Sequence, residues 1–446
     1  MRSLRKVDTI KEGEPEMKTY SERTADELKA ILAEEKEKYE QMKALGIKLD
    51  MSRGKPSKEQ LDLSKDMLTC ISENADCYDE AGTDCRNYGS LAGIPSARKL
   101  MGDLMGAPAD QTIVCGNASL TIMFDTVARG FTHGFAGNTP WAKLDKVKFL
   151  CPVPGYDRHF GVTEHFGVEM INIPMKSDGP DMDLVEQYVN NDPAVKGIWC
   201  VPKYSNPQGI TYSAEVVERF AKLKPAAPDF RIFWDNAYGV HIITENEDPR
   251  DDLANILERC EANGNPDMVF VFASTSKITY AGGGISAFAS SKKNVEEMLG
   301  HMTYQIISHD KMNQLRHVKF LKDIDGIKAQ MQKHAALMRP KFLLVDEILK
   351  KELDGLGICS YTLPRGGYFI SFDAMNGCAR KIVNMAKEAG LVLTGAGASY
   401  PYHNDPDDSN IRIAPSLPGL DELKKAADLF AVCVKIASLE KILENR

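Results

Sequence analysis

The chain has 446 residues and a formal net charge of −8, with charges of both signs spread along it. This length predicts two domains rather than one small module, and the acidic balance argues against non-specific nucleic-acid binding. No run of about 18 apolar residues occurs, so no membrane-spanning segment is predicted. Residues 1–16 are charged and lack the apolar stretch of a secretory signal.

The ten cysteines are scattered, without a C-x-x-C pair or a regular spacing. In a chain of this size the pattern is typical of reduced thiols packed as small hydrophobic side chains. It predicts a cytoplasmic protein without a metal site.

The first predicted elements are a loose arm over residues 1–20 and one amphipathic helix over Thr24–Leu45. A capping box begins this helix and a glycine ends it. A polar loop holding Arg53 and Gly54 follows, and an irregular stretch around Tyr88 precedes a further helix. Such loops either line a site or serve as plain linkers, and Tyr88 is either exposed for contact or simply packed.

A short strand at 112–115 runs into Gly116-Asn117-Ala118-Ser119 and then into a helix that we expect to end at Gly130. A tight strand–turn–helix junction leaves free N–H groups at the positive end of the helix dipole, which suits a phosphate. An ordinary capped helix would show the same pattern, so the junction alone leaves both interpretations open.

Strands and helices alternate from this point onward. Further strand signals occur at 147–151, 168–173, 197–201, 231–234, 268–272 and 285–289. Short apolar strands separated by helices indicate an α/β fold with a mainly parallel sheet covered by helices. In such sheets, ligands bind beyond the carboxyl ends of the strands.

The residues that follow these strands carry a set of functional groups that we expect to meet at one edge of the sheet. A lysine in a dry site can form a Schiff base with an aldehyde, and a carboxylate can keep a pyridine nitrogen protonated, so that the ring acts as an electron sink. With the phosphate junction, the set suits a planar, phosphorylated aldehyde cofactor with a pyridine ring. Its members are Tyr156, Asn206, Asp235, Tyr238, Ser274, Ser276 and Lys277.

The C-terminal part changes character. Residues 293–350 are predicted to be mostly helical, and the chain from about 357 to form a smaller α+β unit. Arg412 lies at the end of a strand in that unit, where it either binds a carboxylate through two parallel hydrogen bonds or is simply exposed. We therefore expect three parts, namely an arm and helix that contribute to the small domain (1–50), a large domain (51–325) and a small C-terminal domain (326–446).

A series of motifs runs through nearly the whole chain in a fixed order. The Ser-Asn-Pro-x-Gly, Asp-x-x-Tyr and Ser-x-Ser-Lys motifs at these spacings are highly specific. On these motifs the chain resembles the pyridoxal-phosphate-dependent aminotransferases of fold type I (class I/II), and among them an aspartate-aminotransferase-like subgroup. The full series is Arg-Gly-Lys-Pro, Tyr-x4-Gly, Gly-Asn-x-Ser-Leu, Pro-Gly-Tyr, Ser-Asn-Pro-Gln-Gly, Asp-x-x-Tyr, Ser-x-Ser-Lys and Arg-x-Ala-Pro.

The resemblance implies a role for each matching residue. Lys277 would hold pyridoxal 5'-phosphate as a Schiff base and carry the transferred proton. Asp235 would pair with the pyridinium nitrogen, Tyr238 and Asn206 would bond the phenolic oxygen, and Tyr156 would stack on the ring. Lys277, Asp235 and Tyr238 would thus form the catalytic set.

The resemblance also implies binding roles outside that set. Tyr88 would reach the phosphate of a neighbouring subunit, which implies a homodimer with shared active sites. Arg412 and Asn206 would bind the substrate α-carboxylate, with Gly54 close by. The phosphate itself would be held by Gly116, Asn117, Ala118, Ser274 and Ser276.

One position departs from the pattern of the family. Ile285 stands eight residues after Lys277, where the family usually has an arginine bound to the phosphate. Backbone N–H groups and hydroxyls would then have to hold the phosphate. A second cation is also needed for the distal carboxylate of a dicarboxylic substrate, and Arg53, Lys311 and Arg316 are the candidates.

Several functions remain open at this point. Transamination between L-aspartate and 2-oxoglutarate in a ping-pong cycle is the preferred one, and a preference for alanine or aromatic amino acids is the nearest alternative. A β-lyase or decarboxylase would share the same cofactor contacts. A ligand-sensing regulator is disfavoured, because the segment before Met51 has no room for a helix-turn-helix domain and a linker.

Overall fold

The computed structural model describes residues 18–46 and 48–446. The strands are β1 (Leu49–Asp50), β2 (Thr112–Cys115), β3 (Lys148–Val153), β4 (Glu169–Lys176), β5 (Gly179–Pro180), β6 (Val195–Cys200), β7 (Arg231–Asp235), β8 (Val269–Ser274), β9 (Ser286–Ala289), β10 (Cys359–Tyr361), β11 (Ile370–Ala374), β12 (Leu391–Val392) and β13 (Asn410–Ile413). The α-helices are α1 (Ala25–Ala44), α2 (Lys58–Asp62), α3 (Pro95–Met105), α4 (Ser119–Thr132), α5 (Asp157–His165), α6 (Met182–Asn191), α7 (Ala214–Ala221), α8 (Ile256–Ala262), α9 (Lys292–Met302), α10 (Lys311–Leu321), α11 (Ile324–Leu353), α12 (Ala379–Glu388) and α13 (Leu420–Glu444).

An eight-stranded sheet forms the centre of the larger part, in the order β2-β9-β8-β7-β6-β3-β4-β5. The neighbours from β8 through β7, β6 and β3 to β4 are parallel. The edge strands β2 and β5 pair antiparallel with β9 and β4, and β9 also pairs antiparallel with β8. The α/β prediction with a mainly parallel sheet is therefore confirmed.

Both faces of this sheet are buried, because apolar side chains alternate between two cores. Along β7, Ile232 and Trp234 belong to one hydrophobic cluster and Phe233 belongs to the other. Helices α3 and α7 contribute to the first cluster, and α4 and α5 to the second. A strand buried on both faces needs apolar residues throughout, which explains why the strand signals read as continuous apolar runs.

The C-terminal part is built on an antiparallel sheet in the order β10-β11-β13. A third hydrophobic cluster joins this sheet to α1, α11 and α13. The chain near residue 50 belongs to the same region, because Leu49 of β1 pairs with Leu391 of β12 and the Tyr39 hydroxyl donates to the Met385 carbonyl at 2.9 Å. These contacts support the division at 1–50, 51–325 and 326–446, which stays a prediction.

Two local predictions need correction. Helix α4 continues past Gly130 to Thr132. The glycine instead makes room for the Trp141 ring, which lies 2.6 Å from the position that a Cβ would occupy. Most of the predicted arm, residues 1–17, lies outside the described residues. At its described end, Tyr20 is buried and its N–H donates to the Leu356 carbonyl at 3.0 Å, so this end of the arm is packed rather than loose.

Two further observations concern the chain as a whole. Across residues 18–46 and 48–446, no helix is long and apolar enough to cross a membrane. All ten cysteines fall within these ranges and are free thiols, most of them buried.

Candidate active site

The predicted lysine lies at the carboxyl edge of the large sheet. Lys277 follows β8 by three residues, and its Nζ lies 5.0 Å from the centre of the Tyr238 ring. A cavity of about 210 Å³, the inner cavity, opens beside this lysine. Lys277 is the one basic side chain among the described residues that line the inner cavity. The other lining residues are Ala118, Ser119, Leu120, Met123, Tyr156, Val201, Asn206, Asp235, Ala237, Tyr238, Ser274 and Ser276.

Asp235 ends β7 and is almost fully buried in the wall of this inner cavity. Its Oδ2 lies 3.1 Å from His159 Nε2, whereas its Oδ1 is buried without a hydrogen-bond partner among the described residues. A buried carboxylate oxygen without a donor is costly, so this oxygen is suited to accept a hydrogen bond from a ligand. A protonated ring nitrogen would supply that donor.

His159 was not identified from the sequence. Its imidazole stacks on the Trp199 indole, with ring centres 4.5 Å apart and an interplanar angle of 10°. The Tyr156 ring meets the same imidazole edge-on at 4.9 Å, and burial raises the pKa of the Tyr156 phenol to about 12. These packed rings fix the positions of Asp235 and Tyr156. The one signal in the sequence was that His159 lies one turn into the helix after Pro-Gly-Tyr.

The predicted phosphate junction borders the inner cavity through Ala118 and Ser119, whereas Gly116 and Asn117 line a separate cavity of about 100 Å³ that shares Ala118 with it. Helix α4 begins after Ala118 with no side-chain cap, so N–H groups of its first turn are free for an anion. The Gly116 carbonyl accepts from the Ser286 hydroxyl at 2.6 Å. The Ser276 hydroxyl donates to the Asn117 carbonyl at 3.1 Å, and the Ser274 hydroxyl donates to Ser276 Oγ at 3.1 Å.

Ile285 offers no charge to this junction. Its side chain is buried in the core, and its N–H donates to the Thr275 hydroxyl oxygen at 3.0 Å. The inner cavity thus provides hydroxyls, backbone N–H groups and one amine for an anionic ligand.

A larger outer cavity of about 770 Å³ adjoins the inner one, and Lys277, Tyr156, Asn206 and Tyr238 line both. Arg412, at the end of β13, closes one side of the outer cavity. Its Nη1 donates to Asn206 Oδ1 at 3.3 Å and to Asp157 Oδ1 at 2.8 Å. The structure therefore brings together the predicted lysine and the predicted carboxylate-binding arginine in one continuous space.

Gly54 also lines the outer cavity. A Cβ at this position would lie 2.7 Å from Cζ of the Phe369 ring. The glycine thus allows the loop after β1 to approach the small-domain sheet closely, beside Arg412.

The outer cavity contains further cations. Arg53, Lys55 and Arg158 line it, and none of the three forms a salt bridge with a described carboxylate. Arg53 was one of the predicted candidates for a distal carboxylate, whereas Arg158, on α5, was not identified from the sequence. Lys311 and Arg316, the other two candidates, do not line either cavity.

Lys311 instead positions the loop that carries Tyr88. Its buried Nζ donates to the Tyr88 carbonyl at 3.0 Å. The Tyr88 side chain is 78% exposed and lines neither cavity of its own chain. A large aromatic side chain exposed to this extent is suited to contact a second molecule.

Two buried histidines hold the segment around Lys277. His317 Nδ1 donates to the Asn313 carbonyl at 2.8 Å, so its Nε2 is free to accept from the Thr275 and Thr279 hydroxyls, both at 3.0 Å. His334 Nε2 donates to the Ile278 carbonyl at 3.0 Å. Burial lowers the pKa of each imidazole to about 4, so both are neutral at pH 7.

These histidines are expected to make the folded protein less stable in acid. Their pKa is about 4 in the folded state against about 6.5 in an unfolded chain. Between these values the unfolded chain binds more protons, so the free energy of unfolding falls as pH falls from about 6.5 to about 4, by roughly 3 kcal/mol per histidine. Urea unfolding of the native protein and of His317→Gln across this range measures the effect. Parallel pH profiles for the two proteins would contradict it.

The fold and the site define a fold type I aminotransferase. The carboxyl edge of its mainly parallel sheet carries a lysine, a carboxylate and the uncapped start of α4, and an arginine from the smaller C-terminal part lines the adjoining outer cavity. The family model for aspartate aminotransferases matches residues 23–446, and the chain belongs to that family. An aspartate aminotransferase of Corynebacterium glutamicum is 47% identical over 406 residues, which cover 91% of this chain and 93% of that protein. The protein is therefore an enzyme that transfers amino groups.

Comparison with a solved structure supports the same family assignment. The crystal structure of an aspartate transaminase from Corynebacterium glutamicum superposes with a TM-score of 0.92 at 44% identity. The match covers 96% of this chain and 100% of that one. A likeness of this extent includes both the large sheet and the smaller C-terminal unit.

Proposed function

We propose that the protein catalyses amino transfer between L-aspartate and 2-oxoglutarate, giving oxaloacetate and L-glutamate, with pyridoxal 5'-phosphate as its cofactor. The observation that carries the proposal is the joined pair of cavities, with Lys277 between a buried carboxylate and Arg412. The printed names of the relatives, an aspartate aminotransferase and an aspartate transaminase, support the choice of substrate.

The residues of the inner cavity suit this cofactor. Asp235 Oδ1 lacks a donor, which a pyridinium N–H would supply. The phosphate would meet the free N–H groups at the start of α4 and the hydroxyls of Ser274 and Ser276. The Gly116-Asn117-Ala118 segment would form the floor of that anion site. When bound, the cofactor supplies an electron sink that acidifies the substrate α-carbon.

The residues of the chain have distinct tasks in this reaction. Asp235, fixed by His159, would keep the ring nitrogen protonated. The Lys277 amine would hold the cofactor as a Schiff base between turnovers and would move a proton at the substrate α-carbon. Tyr156 would cover one face of the ring. Tyr238 and Asn206 would donate to its phenolic oxygen. Burial, the main cause, keeps the pKa of Tyr238 above its usual range, so this phenol is protonated at neutral pH.

The charges of the outer cavity favour a dicarboxylic substrate. Arg412 and Asn206 would bind the α-carboxylate beside Gly54, and Arg53 and Arg158 are unpaired cations within the same cavity. A guanidinium binds a carboxylate through two parallel hydrogen bonds. The second carboxylate of aspartate would be bound by one of these two arginines. An alanine or aromatic substrate would leave both without a partner.

A homodimer belongs to the proposal as well. Tyr88 is exposed, and Lys311 fixes the backbone of its loop. Its side chain would reach the phosphate region of a second copy of the chain, so that the two active sites are shared. A cytoplasmic location stays part of the proposal, on the ground of the scattered free thiols.

Steady-state kinetics with purified enzyme and added pyridoxal phosphate test the substrate. We expect L-aspartate to have the highest kcat/KM among aspartate, alanine and phenylalanine. One of the two changes, Arg53→Gln or Arg158→Gln, should raise KM for aspartate roughly 10- to 100-fold, because it leaves the distal carboxylate without its charged partner. The same change should have little effect on alanine. Arg316→Gln is the matched control. Equal losses for aspartate and alanine, or a native preference for alanine, would contradict the dicarboxylate assignment.

A further inference from the structure

The guanidinium of Arg412 already holds a carboxylate in the free protein. Arg412 Nη1 lies 2.8 Å from Asp157 Oδ1, and the side chains are 6% and 26% exposed. The two residues are 255 positions apart in the sequence. Asp157 is the first residue of α5 in the larger part, and Arg412 lies one residue before the end of β13 in the C-terminal part.

The other contacts of this guanidinium are neutral. Its Nε lies 3.4 Å from Thr394 Oγ1, its Nη1 also donates to Asn206 Oδ1 at 3.3 Å, and its centre lies 4.8 Å from the Phe369 ring centre. No hydrogen bond joins Nη2 to another described residue. Asp157 is thus the anionic partner of Arg412. It occupies Nη1, one of the guanidinium donors that a substrate α-carboxylate needs for bidentate binding.

We propose, resting on the proposed function, that Asp157 is an internal competitor of the substrate: its carboxylate holds Arg412 in the free enzyme and is displaced when an α-carboxylate binds. Displacement costs the Asp157–Arg412 attraction, whatever the incoming acid. Asp157 therefore raises the dissociation constants of all carboxylate ligands by one common factor. An acid with a single carboxylate becomes a weaker ligand, whereas a second carboxylate compensates by reaching the unpaired arginines of the cavity.

The position of Asp157 allows it to leave this contact at moderate cost. As the first residue of α5 it lies where the helix dipole stabilises a negative charge. Its partial exposure lets water solvate the released carboxylate. The Arg412 side chain, in contrast, is held by Thr394, Asn206 and Phe369. The aspartate therefore moves on binding, and the arginine stays in place.

The test compares the native holoenzyme with its Asp157→Asn variant. Calorimetric titration with propionate, a monocarboxylate, and with succinate, a dicarboxylate, gives dissociation constants without any turnover. We expect Asp157→Asn to tighten both acids by the same factor, on the order of fivefold, as loss of a competing ion pair of moderate strength requires. KM for L-aspartate should fall by a similar factor, with kcat changed far less.

Thr394→Val is the matched control, because it removes a neutral contact of the same guanidinium and should not tighten either acid. A Kd that is unchanged or raised in Asp157→Asn overturns the inference, and so does tightening of succinate alone, which would mean that Asp157 repels the distal carboxylate. If the native enzyme binds neither acid, the carboxylate role of Arg412 and the proposed function fail together. If it binds both acids and the variant is no tighter, only the inference on Asp157 fails.

Discussion

Replacing Lys277 with alanine is expected to reduce amino transfer by about 10⁴-fold or more. Lys277 is the one amine that lines the inner cavity, and it also faces the outer cavity, where the substrate would bind. No other described side chain of the inner cavity can both form an imine with the cofactor and carry a proton at the α-carbon. The loss should therefore appear in kcat rather than in KM.

The measurement is coupled turnover of L-aspartate and 2-oxoglutarate by the native enzyme and by Lys277→Ala. Lys292→Ala is the control, because Lys292 is an exposed lysine that pairs with Asp110 on the surface. Added methylamine should restore part of the activity of Lys277→Ala by supplying a free base. A variant that keeps more than a few per cent of native turnover would remove Lys277 from its proposed role.

Replacing Asp235 with asparagine is expected to lower kcat by roughly 10²- to 10³-fold, the range found when one preorganised electrostatic contact is lost from an active site. Asparagine has the same shape but no charge, so the ring nitrogen would lose the anion that keeps it protonated. The effect should be large because Asp235 is buried and its free oxygen has no other described partner.

His159→Asn provides the comparison for that variant. His159 contacts Asp235 from outside the cavity, so its loss should lower kcat less than Asp235→Asn does. Cofactor affinity, measured by equilibrium dialysis with pyridoxal phosphate, should also weaken in Asp235→Asn. If that variant keeps native turnover, or if His159→Asn is the more damaging change, the carboxylate does not act on the ring nitrogen as proposed.

The architecture could be predicted from local patterns because its central strands are buried on both faces. Strands such as β7 and β8 are short apolar runs between helices, and that pattern indicates a parallel sheet. The rule that ligands bind beyond the carboxyl ends of strands then selects Asp235, Lys277 and Asn206 without any reference to function. The structure brings these three residues to one cavity.

The supporting residues could not be predicted in the same way. Asp157 and Arg158 closely follow the predicted Tyr156. The importance of Asp157 depends on its contact with Arg412, which approaches from a distant part of the chain, and that of Arg158 on the outer cavity that it lines. His317 acts on the Lys277 segment from α10 through two threonine hydroxyls. Contacts of this kind are set by packing between elements, and a local sequence pattern carries no information about them.

The end of a helix is also hard to predict from a local sequence pattern. Gly130 signals a helix end in a local pattern, yet the requirement there is space for Trp141.

The candidates Lys311 and Arg316 were predicted from charge and position in the sequence alone. The direction of α10 turns the Lys311 amine toward the Tyr88 carbonyl instead of the substrate cavity.

The most direct test of the account is an absorbance spectrum of the purified protein with pyridoxal phosphate. We predict a visible band that requires Lys277, that disappears when L-aspartate is added and that returns when 2-oxoglutarate follows. This result would establish the cofactor, its attachment and both half-reactions in one cuvette. A protein that takes up no pyridoxal phosphate, or a band that no amino acid changes, would contradict the proposed cofactor and reaction.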